Sequence, residues 1–156
     1  MRSRISTTAT DQEDFASTYN PSLAALAPLV GRWRMELSGG SFESPVNGLS
    51  EFEWIEGGAA FVMRQGSAAI WIVGRDETEV NYRVHYADDR GVSRHYEMTL
   101  VGRDWQMWRI TPEFSQRFEG AIESDRQSIR GAWKKSFDLG VTWEHDFNID
   151  YSRISS

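Results

Sequence analysis

Three histidines, two close pairs of carboxylates and a scatter of arginines are the side chains of this 156-residue sequence best suited to chemistry. His145 stands in a run that alternates apolar and polar residues from Val141 to Tyr151. An extended chain sends alternate residues to opposite faces. Val141, Trp143, His145, Phe147, Ile149 and Tyr151 are therefore expected on one apolar face. Burial among rings favours the neutral imidazole, which ligates a metal, accepts a ligand hydroxyl or takes a proton. The plainer alternative is a histidine hydrogen-bonded to a core partner.

The carboxylate pairs Glu51/Glu53 and Glu144/Asp146 lie two residues apart, opposite Phe52 and Trp54 in one case and Trp143 and Phe147 in the other. Their face is expected to meet solvent, where carboxyl pKa values stay unsuited to acid–base work. His85 and His95 share faces with Arg83 and Glu97, also expected in solvent. The alternative is a partly polar barrel interior, in which Arg83, His85 and Arg109 would meet a carboxylate. Arg109 shares a face with Trp105 and Met107. It is expected either to lie over a ring at the surface or to await an anion inside. No Ser/His/Asp spacing, phosphate-binding glycine loop or metal-ligand cluster is present, which weighs against an enzyme. With no cysteine, disulfides and thiolate chemistry are excluded.

The elements that must position these residues are mostly strands. Asn20-Pro21-Ser22 reads as a cap followed by proline in a first turn, and Leu23, Leu26 and Ala27 continue at helical spacing until Pro28. From there ten runs follow: 30–38, 48–55, 59–65, 68–74, 79–86, 92–101, 105–111, 115–123, 128–137 and 141–151. Gly-, Asp- and Ser-bearing breaks separate them, as tight turns require. Such spacing predicts an all-β fold, a single antiparallel up-and-down barrel of about ten strands, because closure removes the exposed edges of a long meander. A β-sandwich is the alternative. Ala68–Val73 is apolar on both faces through Ile70, Trp71 and Ile72, and calls for cover by the helix or by a second copy.

A net charge of −6 argues against nucleic acid or an anionic membrane surface as partner. Residues 1–19 are polar and expected to be a mobile tail, leaving 20–156 as the barrel domain. No apolar run of signal-peptide or membrane-span length is present, so a cytoplasmic location is expected.

Leu29-Val30-Gly31-Arg32-Trp33 resembles the opening of lipocalins and their calycin relatives, in which a short helix leads into Gly-X-Trp on the first strand. Further on stand Trp108-Arg109-Ile110-Thr111-Pro112, Phe114-Ser115-Gln116-Arg117-Phe118, Gly131-Ala132-Trp133-Lys134-Lys135-Ser136 and Thr142-Trp143-Glu144-His145-Asp146-Phe147. Together, over Pro21 to Arg153, they resemble small bacterial proteins of the lipocalin-like family called domain of unknown function 1579. The resemblance implies a calycin-type barrel and no established activity. The nitrobindin-like barrels are a more distant likeness. Their haem-binding histidine lies near the C-terminus, and His145 has a comparable place.

The expected function is non-catalytic binding of a small apolar or amphipathic molecule in a cup lined by Trp33, Tyr96, Met98, Trp133, Trp143 and Phe147. His145 or Arg109 would fix its polar end, and no cofactor is expected. The alternatives are a small enzyme on a hydrophobic metabolite with His145 as base, a haem-binding barrel, and a homodimer joined through Ile70, Trp71 and Ile72.

Overall fold

A computed structural model of the chain describes residues 20–155; the tail expected over 1–19 lies outside them. Ten strands follow in chain order: β1 (Gly31–Ser38), β2 (Val46–Ile55), β3 (Ala60–Gln65), β4 (Ala69–Gly74) and β5 (Tyr82–Asp88), then β6 (Ser93–Val101), β7 (Asp104–Arg109), β8 (Ser115–Ile122), β9 (Ser128–Ser136) and β10 (Glu144–Ser155). Each pairs antiparallel with the next, and β10 returns to pair with β1, closing the barrel. The expected meander and its ten runs are therefore present, with boundaries moved by a few residues. Val80 and Val141, read as strand residues, precede β5 and β10 and are 84% and 80% exposed.

The N-terminal helix differs in kind from the expectation. It is a 3₁₀ turn over Ala24–Leu29 with Pro28 inside it. Leu23, Leu26 and Leu29, three apart, are fully buried, whereas Ala27 is exposed. A repeat of three residues per turn brings every third side chain onto one line, so these leucines match a 3₁₀ geometry better than an α-helical one. Asn20 supports the turn through its side-chain oxygen, which accepts the Ser22 N–H at 2.9 Å.

Arg153, near the end of β10, ties this segment to the barrel. Its guanidinium donates to the carbonyls of Val30 at 2.6 Å, Pro28 at 2.8 Å and Arg126 at 2.9 Å, and lies 4.1 Å from the centre of the Trp33 ring. The Trp33 indole N–H donates to the Leu29 carbonyl at 3.0 Å. The Gly-X-Trp opening thus sits at a sealed end, with the indole as its floor.

Above that floor the lumen is filled by rings. Trp33 meets Tyr151 edge-on at 6.3 Å, Phe52 meets Trp105 at 6.2 Å, Trp105 meets Phe118 at 4.8 Å, and Phe118 meets Trp133 at 5.4 Å. The series continues through Trp133 and Trp71 at 5.8 Å to Trp71 and Tyr86 at 4.6 Å. These separations are those of rings in direct contact. The expected open cup is, along most of its depth, a packed core.

Candidate functional site

The inward residues at the end opposite Trp33 are of another character. They come from the C-terminal ends of β5, β7 and β9 and the N-terminal ends of β4, β6, β8 and β10. Trp71, Tyr86, Tyr96 and Trp133 supply apolar walls, with Trp71–Tyr96 and Tyr96–Trp133 ring centres 5.1 and 5.9 Å apart. Gln116 sits among them and is 9% exposed. Its side-chain oxygen accepts the Tyr96 hydroxyl and, at 3.3 Å, Arg94 Nη1. Arg109 lies directly opposite Gln116 across the β7–β8 ladder and donates through Nη1 to the Phe114 carbonyl at 3.0 Å. The Arg94 guanidinium lies 5.2 Å from the centre of the Phe114 ring.

Two donors in this region are left over. Trp71 Nε1 and Arg109 Nε are buried and have no hydrogen-bond partner among the described residues. Among the described residues neither Arg94 nor Arg109 forms an ion pair. Two guanidinium groups therefore stand beside a buried phenol with no carboxylate in ion-pair contact among the described residues, while Asp88 nearby accepts the Tyr86 hydroxyl and pairs with Arg90. Burial raises the Tyr96 pKa, and the Arg94 hydrogen bond and the charges of Arg94 and Arg109 oppose that rise. Arrays of this kind suit an anion held against aromatic walls.

The expected cup residues divide. Tyr96, Met98 and Trp133 are 3%, 0% and 5% exposed and face the lumen, as does Phe147, which also meets Phe42 at 5.6 Å. Trp33 is at the sealed end, a barrel's length from Arg109. Trp143 precedes β10 and packs outside, where the Arg117 guanidinium covers its ring at 4.5 Å. Arg109 is half-buried and turned inward with Trp105 and Met107, its Nε enclosed. The β7 strand, apolar on both sides in sequence, turns Trp105 and Met107 inward.

His145 is a correction. It is exposed, opposite Lys134, and its Nε2 lies 3.0 Å from Asn148 Oδ1. The cause is a bulge in β10 between His145 and Phe147, which inverts the alternation at Asp146. Phe147, Ile149 and Tyr151 face inward as expected, and His145 does not. The backbone turn between β1 and β2 fits against this bulge. A Cβ on Gly40, whose φ is +58°, would fall 1.7 Å from the Asp146 carbonyl oxygen.

Glu51 and Glu53 lie outside as expected, whereas Glu144 and Asp146 stand at the rim of the mouth, because Lys135, which holds them, is the cross-strand partner of Gln116. Glu51 and Glu53 are exposed and pair with Arg32 and Arg64, and Lys135 holds Glu144 and Asp146 at 3.8 and 3.6 Å. Ile72 is 41% exposed, so the helix does not cover it.

A concavity lies on the outer wall of β4 to β7, with a volume of about 720 Å³. Ile72, Trp108 and Ile110 give it apolar patches, and His85, His95 and Ser93 give it polar ones. The sequence placed both histidines in solvent, and they are exposed. Alternation alone did not show that they face each other.

No family model matches the sequence, and no curated protein matches it. Among solved structures the chain is similar to the crystal structure of Rv2717c from M. tuberculosis, at 13% sequence identity and a TM-score of 0.46. The match covers 86% of this chain and 98% of that one. No helix among the described residues is long and apolar enough to cross a membrane.

Proposed function

We propose that the protein is a binding module for a small molecule with a flat apolar body and an anionic group, seated at the polar end of the barrel. The carrying observation is the pair of orphaned donors, Trp71 Nε1 and Arg109 Nε, beside Arg94, Tyr96 and Gln116. A buried donor without a partner costs about 1–3 kcal/mol. A carboxylate or sulfonate supplies acceptors for such donors and balances the two guanidinium charges. The rings of Trp71, Tyr86 and Trp133 offer stacking surface to the rest of the ligand.

The reading narrows the expected apolar ligand to an amphipathic anion and moves it from the barrel's centre to its mouth. It extends the resemblance to the lipocalin-like domain of unknown function 1579, and with it a bacterial, cytoplasmic setting. Catalysis or haem ligation through His145 loses its support, because the imidazole stands outside the barrel.

Two fluorescent probes with one ring system test the reading. 1-Anilinonaphthalene-8-sulfonate carries the anion, and N-phenyl-1-naphthylamine lacks it. The sulfonate is expected to bind at least tenfold more tightly, and Arg94→Met to abolish that preference. Equal affinities, or a preference that survives in both Arg94→Met and Arg109→Met, would overturn the reading.

A further inference from the structure

On the outer wall, His85 of β5 and His95 of β6 are direct cross-strand partners. Their rings meet edge-on with centres 4.8 Å apart, and His85 Nδ1 lies 3.2 Å from His95 Nε2. On the far side of the His85 ring, Ser93 Oγ lies 3.0 Å from Nε2. From this geometry we infer a transition-metal site on the wall of the outer groove, with His85 Nδ1 and His95 Nε2 as its protein ligands.

The spacing is the first reason. Two imidazole nitrogens on one tetrahedral ion, each about 2.0–2.1 Å from it, stand about 3.3 Å apart. The separation of 3.2 Å already meets that requirement with no strand movement.

Ser93 is the second. Imidazole ligands commonly donate their other ring N–H to a fixed oxygen, which sets the tautomer and aims the free lone pair at the metal. A proton on His85 Nε2, donated to Ser93 Oγ, leaves Nδ1 unprotonated and facing His95 Nε2. Without an ion, two such lone pairs cannot face each other, and one nitrogen must carry a proton between them.

Two imidazoles select zinc, nickel or copper over magnesium or calcium, which take oxygen ligands. No group of three or more His, Cys, Asp or Glu side chains gathers around an ion position among the described residues. The remaining coordination positions are therefore open to water or to an anionic group of a molecule lying in the groove against Ile72, Trp108 and Ile110. The two imidazoles stand on the outer face of the wall whose inner face carries Arg94, Tyr96 and Arg109, residues that also border the groove.

Zinc chloride titrated calorimetrically into tag-free protein tests it. One ion per chain is expected. His85→Ala and His95→Ala should each weaken binding at least tenfold, and His145→Ala should leave it unchanged. Copper(II) bound to the unaltered protein should show electron-spin-echo modulation from two imidazole rings. This second readout needs no variant. Zinc affinity unchanged in both groove variants, lost in His145→Ala, absent altogether, or a copper signal from a single imidazole would each overturn the site.

Discussion

The Arg153 guanidinium lies over the Trp33 ring at 4.1 Å and donates to three backbone carbonyls, so one residue near the end of the last strand closes the barrel beneath the first. Burial lowers its pKa, aided by the neighbouring charge of Arg126, but a guanidinium remains protonated at neutral pH. Arg153→Met removes all three donors while keeping much of the stem. It should cost about 2–3 kcal/mol, read as a shift in urea midpoint. Arg153→Lys should recover less than half of that, because an ammonium cannot reproduce the planar fork. Full rescue by lysine would show that charge alone matters.

Phe118 and Gly131 define the tightest part of the core. A Cβ on Gly131 would lie 2.5 Å from Phe118 Cε1, and one on Gly120, its cross-strand partner, 2.7 Å from Phe118 Cζ. Overpacking of this kind costs about 1–3 kcal/mol. Gly131→Ala should destabilise by that amount, and the Gly131→Ala, Phe118→Leu double variant by less than the sum of the singles. Strict additivity would mean that the ring does not rest on the glycine.

The outward turn of His145 makes a simple prediction. His145→Ala and Trp143→Ala should leave binding of the anionic probe unchanged. His145→Ala should shift stability by no more than about 0.5 kcal/mol, as for other surface substitutions. Gly40→Ala, by contrast, should lower stability sharply, because its methyl meets the Asp146 carbonyl at the bulge.

These residues also mark what the sequence makes legible. Ten alternating runs with turn residues between them were sufficient for the barrel, since period-two burial and edge closure are local and global statements of one constraint. The bulge left no trace in the unbroken alternation of Val141–Tyr151, so Trp143 and His145 were assigned to the wrong wall. The only related signal was Gly39-Gly40, in a different hairpin. The mouth cluster was half visible: Tyr96, Trp133 and Arg109 could be named, whereas Trp71 lay in a strand apolar on both faces, and no spacing singled out Arg94 or Gln116. Their convergence depends on register across five strands, which composition does not encode.

Acid should destabilise the fold through two hairpin carboxylates. Asp88 is held well below the usual carboxylate range by hydrogen bonds from Arg90 and Tyr86. Asp138 is pulled down to about 2 by the Thr142 hydroxyl and N–H and by Ser136. For a carboxyl whose folded pKa is depressed, the contribution to stability is complete above the unfolded value of about 3.9 and is lost as pH falls through the folded one. The urea midpoint should therefore hold between about pH 7 and 5 and fall between about pH 4 and 2. Asp138→Asn should flatten that fall. A midpoint already declining above pH 5 would point to other groups.

The Trp71 indole N–H is the atom on which the anion reading turns. In a ¹H–¹⁵N spectrum of uniformly labelled protein, its signal can be assigned by its loss in Trp71→Phe. Titration with 1-anilinonaphthalene-8-sulfonate should shift that signal saturably, with the same midpoint as the probe's fluorescence. A Trp71 signal that stays in place while the probe binds would contradict an anion site at the barrel mouth.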